Sequence, residues 1–382
     1  MIGAGVFVVF APAAAAAGSA LLFGLAVAAA VAYCNATSSA RLAARYPQSG
    51  GTYVYGRERL GVFWGYLAGW SFIVGKTASC AAMALTVGLY LWPAHAHAVA
   101  VATVVALTMV NYRGVQKSAL LTRVIVAVVL AVLAGVVVLV ATSGRPEIVR
   151  VMPTGGSVVG VLQAAGLLFF AFAGYARIAT LGEEVRDPAR TIPRAIGIAL
   201  VITLVVYTAV AVTLLAILGP DQLATAAAPL ADAVRAAGAD RFEPVIQAGA
   251  AVAALGSLLS LILGVSRTTL AMARDEHLPR LLASIHPRFD VPHRAEIAVG
   301  AVVAVVSAVA DVRAAIGFSS FAVLVYYGIT NVAAWTLGRR LIPAMGLLGC
   351  LLLAIFLPVA SVLIGAAVLA LGAGIYAMPR LR

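Results

Sequence analysis

The sequence contains little charge. Only 10% of its 382 residues are Asp, Glu, Lys or Arg, whereas an ordinary soluble domain has roughly 25%. Apolar residues make up 63% of the chain, and its mean hydropathy is +1.06. This composition excludes a soluble globular domain and a disordered chain, and it argues against a nucleic-acid-binding domain despite the net charge of +12. We expect an integral membrane protein in contact with lipid, with no nucleic acid as a partner.

Reactive and metal-binding groups are also scarce. Three cysteines, Cys34, Cys80 and Cys350, lie inside apolar runs, so a disulfide framework is not expected. All 14 acidic residues lie in loops or near the ends of apolar runs, which argues against an intramembrane protease, a carboxylate proton relay or a membrane-embedded hydrolase. His95 and His97 have no third ligand nearby, so we expect neither a metal site nor a cofactor.

Long apolar runs dominate the rest of the chain. Eleven of them are long enough to cross a bilayer, and they lie near residues 20–40, 61–91, 94–112, 119–141, 158–181, 195–218, 244–271, 295–310, 314–337, 342–357 and 359–377. A bilayer core tolerates no unpaired backbone polar groups, and the runs lack the polar alternation of a β-barrel. The sequence therefore predicts an all-α bundle.

Basic residues collect at one end of these helices. The loops at that end include Arg41, Arg57, Arg113, Arg190, Arg274, Arg288, Arg340 and Arg380. By the positive-inside rule this Arg-rich face is cytoplasmic, and the C-terminus lies on it. Only two basic residues, Lys76 and Lys117, are Lys; together with the many Ala and Val residues, this bias is typical of a GC-rich bacterial genome. We expect a multi-pass protein of a bacterial cell membrane.

The first apolar segment, residues 1–12, has about half the length needed to cross the bilayer. Two interpretations stand: a re-entrant half helix, or a first helix that lacks its cytoplasmic half. We expect truncation of the first helix, because the missing half would give twelve spans with both termini inside.

Two segments carry glycine where a spanning helix should be continuous. The first holds Gly3 and Gly5, and the second, five spans later, holds Gly174 after Phe170. Small residues also serve close helix packing. A matching pair in oppositely oriented halves, however, predicts an inverted-repeat transporter with a midplane site. An interrupted helix exposes N–H groups on one side and C=O groups on the other, which suits the carboxylate and ammonium of an amino acid.

Five motifs carry a resemblance to a known family. They are "IGAGVF" at 2–7, "PQSGGTYVYGRERLG" at 47–61, "NYRGV" at 111–115, "FAFAGY" followed by "LGEEVRDPARTIPRAI" within 170–196, and "SRTTLAMARDEHLP" at 266–279. Together they strongly resemble the amino acid permeases of the amino acid/polyamine/organocation (APC) superfamily. The similarity covers nearly the whole chain.

The resemblance implies a leucine-transporter-type fold in one transmembrane domain, 1–382. Two inverted five-helix repeats would cover about 1–141 and 157–338, with two extra helices at about 341–377. It also implies a substrate site in the broken helices 1 and 6; spans are numbered along the chain from the segment 1–12, so that helix 3 is the run 61–91, helix 5 the run 119–141, helix 6 the run 158–181 and helix 8 the run 244–271. There the N–H groups of Gly3, Ala4 and Gly5 would hold the substrate carboxylate, and the amino group would meet the carbonyls of Ile2, Phe170, Ala171 and Ala173, beside Gly174. Phe172 or a neighbour would gate the site.

The chain departs from the family pattern at possible coupling positions. Where proton-coupled relatives can carry a lysine in helix 5, this sequence has Val129. Lys76 instead lies about halfway along helix 3, a depth at which a charge costs at least ~2.5 kcal/mol. Two hypotheses remain open for Lys76: a structural donor to the exposed carbonyls of a broken helix, or a residue that exchanges a proton during transport.

Other polar residues also have two interpretations. Arg177 could bind the carboxylate of an acidic substrate, or pair with Glu183 or Glu184 in a water-filled vestibule. The two glutamates are either part of a solvated loop or part of an inner gate. Ser257 and Ser260 share one face of helix 8 and could offer hydroxyls to a sodium ion, or each could bond back to its own helix.

The leading functional hypothesis is therefore a secondary amino acid transporter, for uptake or exchange, that couples to H⁺ and is not an enzyme. The alternatives are a non-transporting membrane subunit or amino acid sensor that keeps the fold, an inactive truncated fragment, and a passive channel. Resemblance at the level of fold does not indicate which amino acid is carried.

Overall fold

The computed structural model describes residues 2–46, 50–114, 119–153, 155–175 and 188–378. This part of the chain is helical, with no β-strand. Its α-helices are α1 (Gly5–Val8), α2 (Phe10–Ala17), α3 (Leu21–Arg45), α4 (Thr52–Leu60), α5 (Val62–Leu91), α6 (Ala96–Tyr112), α7 (Ala119–Thr142), α8 (Val158–Phe172), α9 (Pro188–Thr225), α10 (Pro229–Ala236), α11 (Glu243–Arg274), α12 (His293–Val309), α13 (Val312–Trp335), α14 (Leu341–Phe356) and α15 (Val359–Ala377).

Each apolar run predicted to cross the membrane contains one of these helices. In the described part of the chain, 8 helical segments are long and apolar enough to span a bilayer, and α8 and α14 are shorter apolar helices. The predicted all-α membrane fold is confirmed. The inverted repeat and its boundaries remain a prediction.

Local sequence sets several helix ends. Ser157 accepts a hydrogen bond from the backbone N–H of Gly160 at the start of α8, and Asp311 caps α13 by accepting from Arg313 N–H. These side chains satisfy donors that lack an intrahelical partner. Within α9, Gly219 has a φ of 71°, which interrupts the helix just before Pro220. A positive φ there favours glycine.

Helix α5 lies in the centre of the bundle. In its most apolar stretch 72% of the residues are buried, whereas the corresponding value for α6 and for α15 is 17%. Helix α5 packs along α13 and α11, and α3 packs against α8 and α9. Small residues allow close approach: a Cβ added at Gly75 would lie 2.8 Å from Ala322 Cβ of α13. Side chains in the middle of α5 therefore face other helices and not lipid.

Two of the motifs quoted above meet at the Arg-rich face. Tyr53 of α4 donates to Asp275 Oδ2 at 2.5 Å, and Arg57 Nη1 donates to the same oxygen at 2.8 Å. His277 Nδ1 lies 2.8 Å from the Tyr53 hydroxyl. Burial and the hydrogen bond to Asp275 raise the pKa of Tyr53. These contacts fasten α4 to the end of α11.

A buried polar network joins α3, α13 and α14. Asn331 Nδ2 donates to Asn35 Oδ1 at 2.6 Å, and Ser38 Oγ donates to Asn331 Oδ1 at 2.7 Å. Cys350 Sγ lies 3.3 Å from Asn35 Oδ1. Because buried amides need partners, this network fixes the packing of α13 on α3.

Candidate functional site

The first helix begins at Gly5. Residues 2–4 are not helical, and α1 starts without a side-chain cap. The first N–H groups of an α-helix have no partner within that helix, and together they carry a partial positive charge. Gly3 and Ala4 precede α1 and Gly5 begins it; their role in holding a carboxylate remains a prediction.

The second interruption lies at the end of α8. The α-helix stops at Phe172, and a 3₁₀ turn follows at Ala173–Tyr175. The sequence predicted an apolar run to about 181 in which the helix is broken between 170 and 174. The α-helix ends at Phe172, within that range. Carbonyl oxygens at the end of a helix have free acceptor capacity.

The two interruptions touch each other. A Cβ added at Gly5 would lie 3.0 Å from Ala171 Cβ and 3.6 Å from the Phe170 ring. Gly5 itself is buried. The start of helix 1 and the end of helix 6 are thus in contact, although Gly5 and Ala171 are 166 positions apart in the sequence. The absence of a side chain at Gly5 has two equally good explanations: close packing of the two helices, and substrate binding.

Lys76 lies beside this junction. Its side chain is 6% exposed, and Nζ donates to the Ala173 carbonyl at 3.3 Å. This is the contact expected of a structural donor to a broken helix, and it also places an ionisable amine next to the predicted substrate site. Both hypotheses for Lys76 remain open.

Two tyrosines that the sequence analysis missed donate hydrogen bonds to backbone carbonyls of α8 and α1. Tyr207 of α9 donates to the Ala171 carbonyl at 3.1 Å. Tyr90 of α5 donates to the Phe7 carbonyl at 2.8 Å and accepts from Leu230 N–H at 3.4 Å. Buried tyrosines need hydrogen-bond partners, but the sequence does not indicate which carbonyls they reach.

The aromatic gate candidates differ in their surroundings. Phe172 is fully buried and its ring packs edge-on against Tyr207, with the centroids 5.2 Å apart. Phe170 lies next to Gly5, and Gly174 is exposed. Of the two phenylalanines, Phe170 is therefore the neighbour of the junction.

The two candidate serines of α11 have different surroundings in the structure. Ser257 Oγ would lie 2.5 Å from a Cβ added at Gly3, so its hydroxyl faces the interruption of helix 1. Ser260 Oγ donates to the Gly256 carbonyl at 3.1 Å, one turn earlier in its own helix. Ser257 is half-buried. Ile2, also half-buried, precedes Gly3.

The remaining gate candidates, Arg177, Glu183 and Glu184, lie outside the described residues. Their predicted roles therefore rest on the sequence alone. Among the residues that the structure describes, no group of three or more His, Cys, Asp or Glu side chains could hold a metal ion.

The arrangement is suited to a small zwitterion. A helix N-terminus offers hydrogen-bond donors for a carboxylate, and the adjoining helix end offers acceptors for an ammonium group. Two of those acceptors, the carbonyls of Ala171 and Ala173, already receive one donor each from the protein. Each carbonyl oxygen can accept a second hydrogen bond. The geometry defines a helical membrane protein in which the start of α1 packs against the end of α8.

Comparison with known proteins identifies the family. The family model for amino acid permeases matches residues 1–380. The chain belongs to the amino acid permease family, within the APC superfamily. It is 70% identical to an uncharacterized transporter of Mycobacterium tuberculosis over 100% of its own length and 88% of the relative. It is thus similar to a transporter.

More distant relatives have named substrates. The chain is 26% identical to a branched-chain amino acid permease of Bacillus subtilis, over 77% of this chain and 68% of the relative. It is 28% identical to the human cationic amino acid transporter 4, over 86% of this chain and 56% of the relative. The named substrates differ between these two proteins.

Proposed function

We propose that this chain is a secondary active amino acid transporter that works by alternating access around the junction of helices 1 and 6. The observation that carries the proposal is the contact between Gly5 and Ala171, which brings a helix N-terminus to a helix C-terminus inside the bundle. Only backbone groups are needed to bind the part of the substrate that all amino acids share. The side-chain specificity is left to the surrounding residues.

The test is uptake of labelled amino acids into proteoliposomes that contain the purified protein. A panel should include branched-chain and cationic amino acids, because relatives are named for both classes. Saturable accumulation driven by an ion gradient supports a carrier. Tight binding without flux would support a sensor or a non-transporting subunit, and non-saturable flux would support a channel.

We further propose proton coupling through Lys76. A buried amine beside the Ala173 carbonyl can exist as ammonium or as amine, because desolvation disfavours the charged form. Substrate binding and the change of access alter that environment. Gain or loss of one proton would then accompany each transport cycle.

Lys76 variants separate coupling from structure. Lys76→Ala should abolish accumulation driven by a pH difference but retain exchange of labelled for unlabelled amino acid at equal pH. Lys76→Arg keeps a permanent charge and should behave in the same way. Ser79→Ala is the control, because it removes a buried hydroxyl bond one turn away in α5. If a stably folded Lys76→Ala protein still accumulates substrate in response to a pH difference, the coupling role is wrong.

The orientation in the membrane is also a proposal. Placing the Arg-rich face in the cytoplasm of a bacterial cell puts the C-terminus, α4 and the loop after α11 inside. Labelling of single cysteines introduced at Arg288 and at Arg145 in intact cells tests this. Only the Arg145 position, on the opposite side, should react with an impermeant reagent.

Gating is proposed at both ends of the site. Phe170, next to Gly5, would cover the substrate, while Arg177, Glu183 and Glu184 would form ion pairs toward the cytoplasm. Exposed ion pairs contribute only ~0–1 kcal/mol each, so such pairs can break in every cycle. Glu183→Gln with Glu184→Gln should change the rate of exchange more than the affinity for substrate.

A further inference from the structure

One buried carboxyl group lies away from the substrate site, between α6 and α12. These helices run antiparallel and touch at three levels. His97 Nδ1 lies 2.8 Å from the Ser307 carbonyl, a Cβ added at Gly300 would lie 2.4 Å from Thr108 Oγ1, and the rings of Tyr112 and His293 are 6.1 Å apart. The glycine lets the two backbones approach closely. Glu296 lies one helical turn before that glycine.

Glu296 is fully buried, at 0% exposure, and both of its carboxyl oxygens lack a hydrogen-bond partner. In the sequence it lies near the end of an apolar run. Among the acidic residues whose burial the structure describes, it is the only one in the buried class. Thr108 Oγ1 and His293 Nδ1, on the same interface, are also buried without a partner. Three unpartnered polar side chains thus collect where α12 begins and α6 ends.

The charged groups around Glu296 are positive. From α11, Arg267 is near enough to act on the carboxyl group electrostatically, although its own side chain is exposed. From α12 itself come His293 and Arg294. Arg280, in the 3₁₀ turn Arg280–Ala283 that packs on α12, forms an ion pair with Glu276.

The facing groups of α6 and α5 are neutral. Tyr112 of α6 packs on His293, and Cys80 of α5 lies in the apolar cluster with Val299. Neither supplies a charge that would neutralise a carboxylate.

An ionised carboxylate without a hydrogen-bond donor is strongly disfavoured inside a membrane protein. A bound cation would relieve this, but one carboxyl group and one hydroxyl are too few oxygen ligands for a metal ion, and the neighbouring arginines repel it. A proton needs no set of oxygen ligands, and it removes the negative charge of the carboxylate. The neutral carboxyl group has no charge to be desolvated, so its burial without a partner costs far less than burial of the carboxylate.

We propose that Glu296 is a proton-binding site through which pH at the Arg-rich face controls the packing of α12 on α6. With the proton bound, the buried carboxyl group is neutral and the interface closes around it. Without the proton, the carboxylate must reach water or Arg267, and α12 separates from α6. This proposal does not depend on amino acid transport.

The experiment is the pH dependence of thermal unfolding in detergent, at a fixed scan rate, for wild type and Glu296→Gln. In the unfolded chain a Glu releases its proton near pH 4.3. While the folded state keeps the proton, the folding equilibrium constant falls up to tenfold for each pH unit above that value, until the pH at which the folded state releases it. Glu296→Gln mimics the neutral form and should remove this decline. Glu147→Gln, at an exposed carboxylate paired with Arg150, is the control and should leave the decline intact.

A pH profile that is the same in wild type and Glu296→Gln overturns the proposal, whatever the transport assay shows. A saturable increase in wild-type stability on adding sodium, lost in Glu296→Gln, would also overturn it in favour of a cation site. If Glu296→Gln does not fold, infrared spectroscopy of the wild type decides. A carboxylic acid C=O band that persists at pH 7 and shifts in Glu296→Asp supports the proposal, and its absence refutes it.

Discussion

Gly5 provides a sharp test of how the two interrupted helices meet. In Gly5→Ala the new methyl carbon would lie 3.0 Å from Ala171 Cβ and 3.1 Å from Ala171 Cα, whereas carbon atoms pack best at about 3.5–4.0 Å. Helix 1 must therefore move about 0.5–1 Å away from α8. Overpacking of this kind costs about 1–3 kcal/mol of folding free energy. Gly5→Val should cost more.

Gly3 is the matched comparison. A methyl group there would lie 2.5 Å from Ser257 Oγ, the end of a side chain that can rotate away. We expect Gly3→Ala to change the free energy of unfolding by no more than about 0.5 kcal/mol. If the N–H groups of residues 3–5 bind the substrate carboxylate, the displacement of helix 1 in Gly5→Ala should lose a charge-assisted hydrogen bond of about 1.5–3 kcal/mol, whereas Gly3→Ala, which keeps the N–H in place, should lose less. The loss in Gly5→Ala corresponds to roughly 10- to 150-fold in affinity.

The assay pairs thermal unfolding of the purified variants with the affinity for an amino acid identified in the uptake panel. Membrane insertion should not change, because alanine and valine preserve the hydrophobicity of the segment. Wild-type unfolding of Gly5→Ala would refute the close contact with Ala171. Reduced stability with unchanged affinity in Gly5→Val would mean that these glycines only pack helices.

Two further substitutions test the hydrogen bonds that hold these helices. Tyr207→Phe removes the donor of the Ala171 carbonyl and should lower the free energy of unfolding by about 1–3 kcal/mol, measured by thermal unfolding; no change would show that water replaces the hydroxyl. Asn331→Ala leaves Asn35 and Ser38 without their shared partner and should cost about 2 kcal/mol or more. Because this network lies in a different part of the bundle, KM for uptake should stay at the wild-type value, and a large KM increase would contradict that independence.

The helical architecture was predictable because membrane spans have a strong local signal. Apolar runs of about 20 residues can only be helices in a bilayer, and every predicted run contains one. Gly5 begins α1, and Gly174 lies in the 3₁₀ turn that follows α8. That these glycines mark a substrate site remains a prediction.

Contacts between distant segments were not predictable in the same way. The sequence marked Lys76 as unusual but did not show that its amine reaches Ala173. Tyr207 gave no signal, because a tyrosine within an apolar run is compatible with many partners. Glu296 was judged by its place near a helix end, whereas its burial depends on the approach of α6 at Gly300. Partners of polar side chains depend on three-dimensional packing.

The network between Asn35 and Asn331 also constrains the synthesis of the protein. The two residues are 296 positions apart, so at 5–20 residues per second Asn331 is made about 15–60 s after Asn35. During that interval α3 carries a polar amide whose final partner does not yet exist. An unsatisfied amide in hydrocarbon is costly. Helix α3 therefore reaches its final environment only when the C-terminal part of the bundle arrives, which makes assembly of this membrane protein a late, nearly full-length event.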